Sequence, residues 1–138
     1  MTRFIDTNVL LYAVSVEQEN RAKRDVAVEL LQAVDLALSA QVMAEFYSQA
    51  RRPSRERPLE IGAATELLEG LRRFPVQDVT ADLVLAAIAT CERFQISYWD
   101  AAIIEAARAL GCGRVLTEDL NDGQDYGGIL VENPFRNL

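Results

Sequence analysis

Short apolar runs alternate with longer segments of helical periodicity along the whole chain. Residues 2–6 are predicted to form a buried strand, and Thr7 or Asn8 is expected to cap a short helix over Val9–Ser15. The pattern then predicts a helix over 21–35, a strand over Leu36–Leu38, a helix capped by Ser39 and stopped by Pro53 near Arg52, and a polar loop over 51–58.

The second half of the chain repeats this alternation. It predicts helices over 58–72, 81–94 and 98–110, with Gly111 closing the last, and strands over 75–79, 114–117 and 129–131. No internal repeat or domain boundary interrupts the pattern. We therefore expect one α/β domain over residues 1–138, with a short, mainly parallel β-sheet flanked by helices on both faces.

Four acidic residues occupy positions from which such a fold would aim carboxylates at one place. Asp6 ends the first apolar run, Asp119 follows another, and Glu45 and Asp100 lie on predicted helices. In parallel sheets the ligand crevice lies beyond the carboxyl ends of the strands. Carboxylates gathered there would resist ionising unless a cation lay between them, and a hard divalent ion is the natural occupant.

Each acid also has a purely structural interpretation. Asp6 could form an Asx turn, Asp100 could favour a helix N-terminus, and Asp119 and Asp122 could be turn formers before Gly123. Glu45 differs, because it lies within the mostly uncharged stretch 39–50, where a solvated face would carry more charge. The four acids together favour a functional site.

Composition removes several classes of chemistry. The 138 residues include no histidine, which excludes Ser-His-Asp and Cys-His mechanisms and His-ligated zinc. The single lysine, Lys23, and the lack of a glycine-rich loop argue against a P-loop. Cys91 and Cys112 form no metal-ligand pattern and are expected to be reduced, with Cys91 buried on the 81–94 helix. Charges interrupt every long apolar stretch, so neither a membrane span nor a signal peptide is predicted, and we expect a cytoplasmic protein.

The net charge of −7 opposes a nucleic-acid partner at long range. Arginines nevertheless cluster after Glu45, at Arg51, Arg52, Arg55 and Arg57, with a second pair at Arg72 and Arg73. These side chains could contact phosphates, or they could be solvated surface charges. The sequence pattern leaves both interpretations open.

Three segments together resemble the PIN-domain family, and more narrowly the VapC-type toxins of bacterial toxin–antitoxin pairs. They are FIDTNVLLYA (4–13), YWDAAIIEAA (98–107), and LTEDLNDGQDYGGI (116–129) continuing through VENPF (131–135). The stretch 15–24 matches less closely. The resemblance implies an endoribonuclease dependent on Mg²⁺ or Mn²⁺, with acidic positions at Asp6, Glu45, Asp100 and Asp119, and Asp122 as a fifth candidate metal ligand.

The resemblance also implies partners. Similar proteins form homodimers and are silenced by a cognate antitoxin that covers the acidic pocket, so we expect RNA, an antitoxin and a second copy of the chain as partners. We expect the dimer contact within residues 39–73. Thr7 or Asn8 would orient a ligand or a water, with helix capping as the alternative for Thr7, and Arg51 and Arg52 would hold RNA phosphates.

Two other functions compete with a nuclease. A haloacid-dehalogenase-type phosphatase also begins with an aspartate after its first strand, but it requires a second aspartate where this chain has Asn8 and a downstream lysine that is absent. A binding module that has lost its chemistry would be expected to lack one of the acids. All four are present here.

Overall fold

The computed structural model describes residues 2–138 and contains six helices and six strands in that range. The first half consists of β1 (Arg3–Ile5), α1 (Thr7–Ala13), a 3₁₀ turn (Gln18–Asn20), α2 (Arg21–Leu30), β2 (Leu36–Ser39) and α3 (Ala40–Ala50). The second half consists of α4 (Ile61–Leu71), β3 (Val76–Gln77), α5 (Ala81–Phe94), α6 (Tyr98–Ala109), β4 (Arg114–Leu116), β5 (Asp125–Tyr126) and β6 (Ile129–Glu132).

The strands form one sheet in the order β3-β2-β1-β4-β6-β5. All neighbours are parallel except β5, which pairs antiparallel with β6. All four residues of β2 are buried. Because successive side chains on a strand point to opposite faces, helices must cover the sheet on both sides. The structure therefore confirms the predicted α/β class with a mainly parallel sheet.

The chain order reverses at β1, which has β2 on one side and β4 on the other. This reversal is a topological switch point, and a crevice opens there beyond the carboxyl ends of the strands. Two backbone hydrogen bonds keep these ends level: the Asp6 N–H donates to the Leu116 carbonyl, and the Thr117 N–H donates to the Glu132 carbonyl, each at 3.1 Å.

The first two helices differ from their predicted limits. α1 begins at Thr7, because Asp6 itself is the N-cap and accepts a hydrogen bond from the Thr7 N–H; neither Thr7 nor Asn8 caps it. α2 ends at Leu30 because the chain must turn to enter β2 beside β1. Asp35 then pairs with Arg3 in this turn, and Val34, which lies within the predicted helix over 21–35, is 94% exposed.

Other limits shift for local reasons. Ser39 caps α3 as predicted, but α3 ends at Ala50, whose carbonyl accepts a hydrogen bond from Leu59, so α4 begins only at Ile61. β3 has two residues, and the antiparallel β5 was not predicted at all. α5 matches its predicted range, although Cys91 is only partly buried.

One buried carboxylate has a structural role away from the crevice. Glu105 on α6 is 8% exposed and accepts hydrogen bonds from Thr90 on α5 and from Arg108. Arg108 also donates to the carbonyls of Tyr126 and Gly127, which ties α6 to the β5 turn. Across residues 2–138, none of the helices combines the length and the hydropathy that crossing a membrane requires.

Candidate active site

A pocket of about 320 Å³ lies at the switch point, and all four predicted acids line it. Asp6 reaches it from the end of β1, Glu45 from α3, Asp100 from the first turn of α6, and Asp119 from the segment after β4. The sheet topology thus brings together carboxylates separated by more than 110 positions in the chain, as the sequence pattern predicts.

Asp6 is the most deeply buried of the four, at 5% exposure. One carboxylate oxygen accepts from the Thr7 N–H at 2.7 Å, and the other accepts from the Thr117 hydroxyl at 2.9 Å. Burial, together with the smaller effect of the nearby charges of Asp119 and Glu45, raises the pKa of Asp6 to about 7, although the two hydrogen bonds oppose this shift. Without a compensating cation, Asp6 is half protonated near neutral pH.

Glu45 is held at both of its oxygens. The Thr7 hydroxyl donates to one at 3.0 Å, and the Gln41 side-chain amide donates to the other at 2.9 Å. Thr7 therefore links two acids, because its backbone N–H binds Asp6 and its side chain binds Glu45. The orienting role expected for Thr7 or Asn8 stays a prediction, and the observed contacts are the ones that it would use.

Asn8 plays the matching part on the other side of the pocket. Its amide donates to Asp119 at 3.2 Å and to the Thr117 hydroxyl oxygen at 2.9 Å. Thr117 in turn donates to Asp6, so a chain of hydrogen bonds joins Asp6 to Asp119. Burial raises the pKa of Asp119, and the negative charges of Glu118, Asp100 and Glu45 act in the same direction, against the hydrogen bond from Asn8.

Asp100 lies in the first turn of α6, where its backbone N–H donates to the N-cap Ser97. Its carboxylate accepts no hydrogen bond from any residue within 2–138 and is therefore free to bind a ligand. The charge of Asp100 contributes to the raised pKa of Asp119, which shows that the two carboxylates interact across the pocket.

A second acid of the segment after β4, Glu118, also lines the pocket. Glu118 accepts hydrogen bonds from the Tyr12 hydroxyl and from Lys23, the latter at 2.9 Å. The Lys23 ammonium also lies 4.8 Å from the centre of the Tyr12 ring. The only lysine of the chain therefore neutralises Glu118, and Lys23 is not among the residues that line the pocket.

Three of the predicted site residues lie elsewhere. Asp122 accepts hydrogen bonds from the Asn133 N–H and from Arg136, which lowers its pKa, and it does not line the pocket. Arg51 donates to the Leu59 carbonyl and lies over the Tyr47 ring, while Arg52 is exposed on the following turn. The structure thus does not bring these three side chains to the four acids.

Sequence reasoning missed other residues of the site. They contact the acids or line the pocket, and they are Thr117, Tyr12, Gln41 and Trp99. Arg55 also lines the pocket, but it was considered only as one of four arginines in the basic run. Thr117 lies two residues before Asp119 and Gln41 lies four residues before Glu45, so this proximity in the sequence was the available signal. Arg55 lies in the basic run, but nothing in the sequence separates it from its neighbours.

A sequence profile of the PIN domain matches residues 3–121, which is most of the chain. The chain belongs to the PIN domain family. No curated protein matches its sequence. The family assignment agrees with the resemblance that the acidic motifs indicate.

Solved structures share the PIN fold of this chain at low sequence identity. A toxin–antitoxin complex from Klebsiella pneumoniae gives a TM-score of 0.68 at 17% identity, covering 97% of this chain and 98% of the other. The sarcin–ricin loop cleaving toxin VapC20 of Mycobacterium tuberculosis gives a TM-score of 0.66 at 22% identity, covering 86% of this chain and 92% of the other. FitAcB from Neisseria gonorrhoeae gives a TM-score of 0.62 at 19% identity, covering 97% of this chain and 99% of the other.

The donors of the PIN pocket suit a hard divalent cation. They are carboxylate oxygens, and the most buried one, on Asp6, is not readily ionised without added positive charge. In residues 2–138, no three acidic or cysteine side chains already form a compact metal cluster. Mg²⁺ prefers oxygen ligands and keeps several of its own waters, through which Asp6, Glu45, Asp100 and Asp119 would hold it.

Proposed function

We propose that this PIN domain protein is a Mg²⁺- or Mn²⁺-dependent endoribonuclease, and that it is the toxin of a toxin–antitoxin pair. The observation that carries the proposal is the convergence of Asp6, Glu45, Asp100 and Asp119 on one pocket at the switch point of the sheet. The similar folds of VapC20 and of the Klebsiella pneumoniae complex support the toxin assignment.

In this proposal, Asp6 and Asp100 hold the metal, and Glu45 and Asp119 contribute directly or through water. When bound, a divalent ion supplies positive charge for the scissile phosphate and lowers the pKa of a water that attacks it. In the same proposal, neighbouring side chains support these acids. Thr7 and Thr117 fix both oxygens of Asp6, Thr7 and Gln41 fix Glu45, and Asn8 fixes Asp119.

This arrangement holds three of the four carboxylates before substrate binds. Three acids that are already hydrogen-bonded need little rearrangement when substrate binds. In many enzymes, preorganised charges of this kind make the largest contribution to stabilising the transition state. Asp100 has no such partner among residues 2–138, so no hydrogen bond of its carboxylate has to break when it binds a ligand.

The phosphatase alternative fails on the same residues. It needs an aspartate at the position of Asn8, and the Asn8 amide instead donates to Asp119 and Thr117. The PIN domain match places the chain in a different family. The remaining alternative, a binding module without activity, is tested by the cleavage experiment below.

The direct test is cleavage of purified cellular RNA by the purified chain. We expect fragments in Mg²⁺ or Mn²⁺, none in excess chelator, and at least 100-fold less product from Asp100→Asn prepared identically, which controls for contaminating ribonuclease. Equal cleavage by parent and Asp100→Asn, or by parent with and without chelator, would contradict the proposal. RNA binding without metal-dependent cleavage would support the binding module.

The proposal includes partners and a compartment. A cognate antitoxin would cover the acidic pocket with a cationic side chain, and the chain would act in the cytoplasm as a homodimer. Exposed apolar side chains lie on α3 and α4 (Tyr47, Ile61), within the predicted 39–73 contact, and also on α5 (Leu85, Ile88). The molar masses of Tyr47→Asp and of Leu85→Asp, measured separately by light scattering, would show which of the two faces forms the dimer contact, because the substitution in that face gives a monomer.

A further inference from the structure

Among residues 2–138, Arg55 is the one cationic side chain that lines the acidic pocket. It lies in the loop between α3 and α4, which folds back over the end of α3. The loop is fixed by hydrogen bonds from Arg55 N–H to the Arg52 carbonyl at 3.0 Å and from Leu59 N–H to the Ala50 carbonyl at 2.8 Å. The backbone thus presents this arginine of the run, and not Arg51, Arg52 or Arg57, to the carboxylates.

The Arg55 guanidinium is left without partners. Its Nε is the single buried side-chain nitrogen or oxygen in residues 2–138 that has no hydrogen-bond partner. Arg55 also forms no ion pair within that range, although six acids line the same pocket. Lys23, in contrast, is paired with Glu118. A buried donor without a partner is unfavourable, so its retention points to a ligand that supplies the acceptor.

The chemistry of that ligand follows from the donor and from its surroundings. A guanidinium presents a planar fork of N–H groups that matches two oxygens of a phosphate. The chain carries a net charge of −7, and the pocket itself is acidic, so an RNA strand entering it needs a local positive charge besides the metal. Arg55 supplies that charge next to the four acids.

We infer that the Arg55 guanidinium binds a phosphate of the RNA strand in the pocket and thereby positions the scissile phosphodiester. This inference rests on the proposed function and adds a substrate-binding residue to it. Arg51 has a different role, because it stabilises the loop through the Leu59 carbonyl and the Tyr47 ring. The other arginines of the run, Arg52 and Arg57, are exposed outside the pocket.

The test compares Arg55→Gln with Arg57→Gln, a matched neutralisation in the same loop outside the pocket. Initial rates are measured on a pool of random-sequence, single-stranded RNA 12-mers in Mn²⁺, over a series of salt concentrations. We expect Arg55→Gln to lower kcat/KM at least tenfold and Arg57→Gln to lower it less than twofold. The slope of log kcat/KM against log salt should become shallower by about 0.7 for Arg55→Gln, the value for one phosphate contact on a single strand.

Two further measurements separate binding of phosphate from other roles. Arg55→Lys keeps the positive charge but lacks the planar fork of N–H groups, so its kcat/KM should lie between those of the parent and of Arg55→Gln. If circular dichroism shows that Arg55→Gln does not fold, Arg55→Lys takes its place in the comparison with Arg57→Gln. Calorimetric titration of Arg55→Gln with Mn²⁺ alone should show a Mn²⁺ affinity within threefold of that of the parent. A tenfold gain in Mn²⁺ affinity with undiminished cleavage would instead make Arg55 a counter-ion of the acids and overturn the inference.

The outcomes also separate this inference from the proposed function. A parent chain that cuts no RNA in Mn²⁺ contradicts the proposed function itself. A parent that cuts RNA, with Arg55→Gln as active as Arg57→Gln and an unchanged salt slope, contradicts the role of Arg55 alone.

Discussion

The Thr117 hydroxyl, just beyond β4, donates a hydrogen bond of 2.9 Å to the Asp6 carboxylate, just beyond β1. Both residues are buried, and the same hydroxyl oxygen accepts hydrogen bonds from the Asn8 amide and from the Asp119 N–H. Thr117 therefore organises three groups of the pocket, although it carries no charge itself.

Replacing Thr117 with valine should damage the site more than its size suggests. The change keeps the shape but removes the acceptor of the Asp119 N–H and one of the two acceptors of the Asn8 amide, so we expect a loss of about 1–3 kcal/mol of unfolding free energy. Metal affinity should also fall, because Asp6 loses a hydrogen bond that favours its ionised form. Chemical denaturation and Mn²⁺ titration measure the two effects. Thr117→Ser keeps the hydroxyl and should retain most of the stability and most of the Mn²⁺ affinity. Equal losses in the valine and serine variants would show that the hydrogen bonds of the hydroxyl do not cause the effect.

The metal-free protein should become less stable as pH rises from about 4 to about 7. The pKa of Asp6 is near 4 in the unfolded chain and about 7 in the folded one, so the folded state binds more protons in this window and stability falls with pH. The raised pKa of Asp119 acts with the same sign. Thermal melts in chelator between pH 4 and pH 8 measure the trend.

Asp6→Asn provides the control for this pH dependence. The variant lacks the titrating group but retains an N-cap side chain, so its melting temperature should fall less than that of the parent over the same window. Identical pH profiles for parent and variant would show that Asp6 does not titrate there.

Asp100→Asn should separate stability from activity. The Asp100 carboxylate accepts no hydrogen bond within residues 2–138, so the substitution breaks none and removes one repelling charge. In chelator the variant should melt at an equal or higher temperature than the parent. In Mg²⁺ or Mn²⁺ the parent should gain more, about 3 kcal/mol at 100 times its dissociation constant, because only binding to the folded state stabilises it. A variant that unfolds, or that metal stabilises as much as the parent, would make Asp100 a structural residue.

The placement of the four acids was predictable because it depends on topology. Asp6 and Asp119 follow apolar runs that were predicted as strands of a mainly parallel sheet, and a parallel sheet puts the carboxyl ends of its strands on one edge. The structure adds that these two strands are neighbours. Ser39 was predictable as a cap by its position before a helical period. These features follow from local pattern and from rules that hold for the whole class of fold.

Other features depend on contacts that the sequence pattern does not contain. Asp122 has the same turn-forming neighbours as a pocket acid, but Arg136, near the end of the chain, pairs with it. Arg55 differs from Arg52 and Arg57 only through the course of the loop that Leu59 fixes. Val34 fits the helical period of α2, and only the need to enter β2 ends that helix before it.

The central claim is that Asp6, Glu45, Asp100 and Asp119 form one metal site, and calorimetric titration with Mn²⁺ tests it most directly. Asp122→Asn is the matched control, because Asp122 is an acid on the same segment as Asp119 but pairs with Arg136 outside the pocket. We predict that Asn at Asp6, Asp100 or Asp119 weakens Mn²⁺ binding at least tenfold, and that Asp122→Asn binds as the parent does. A parent that binds no Mn²⁺, or an Asp122→Asn variant that loses as much affinity as Asp100→Asn, would contradict the account.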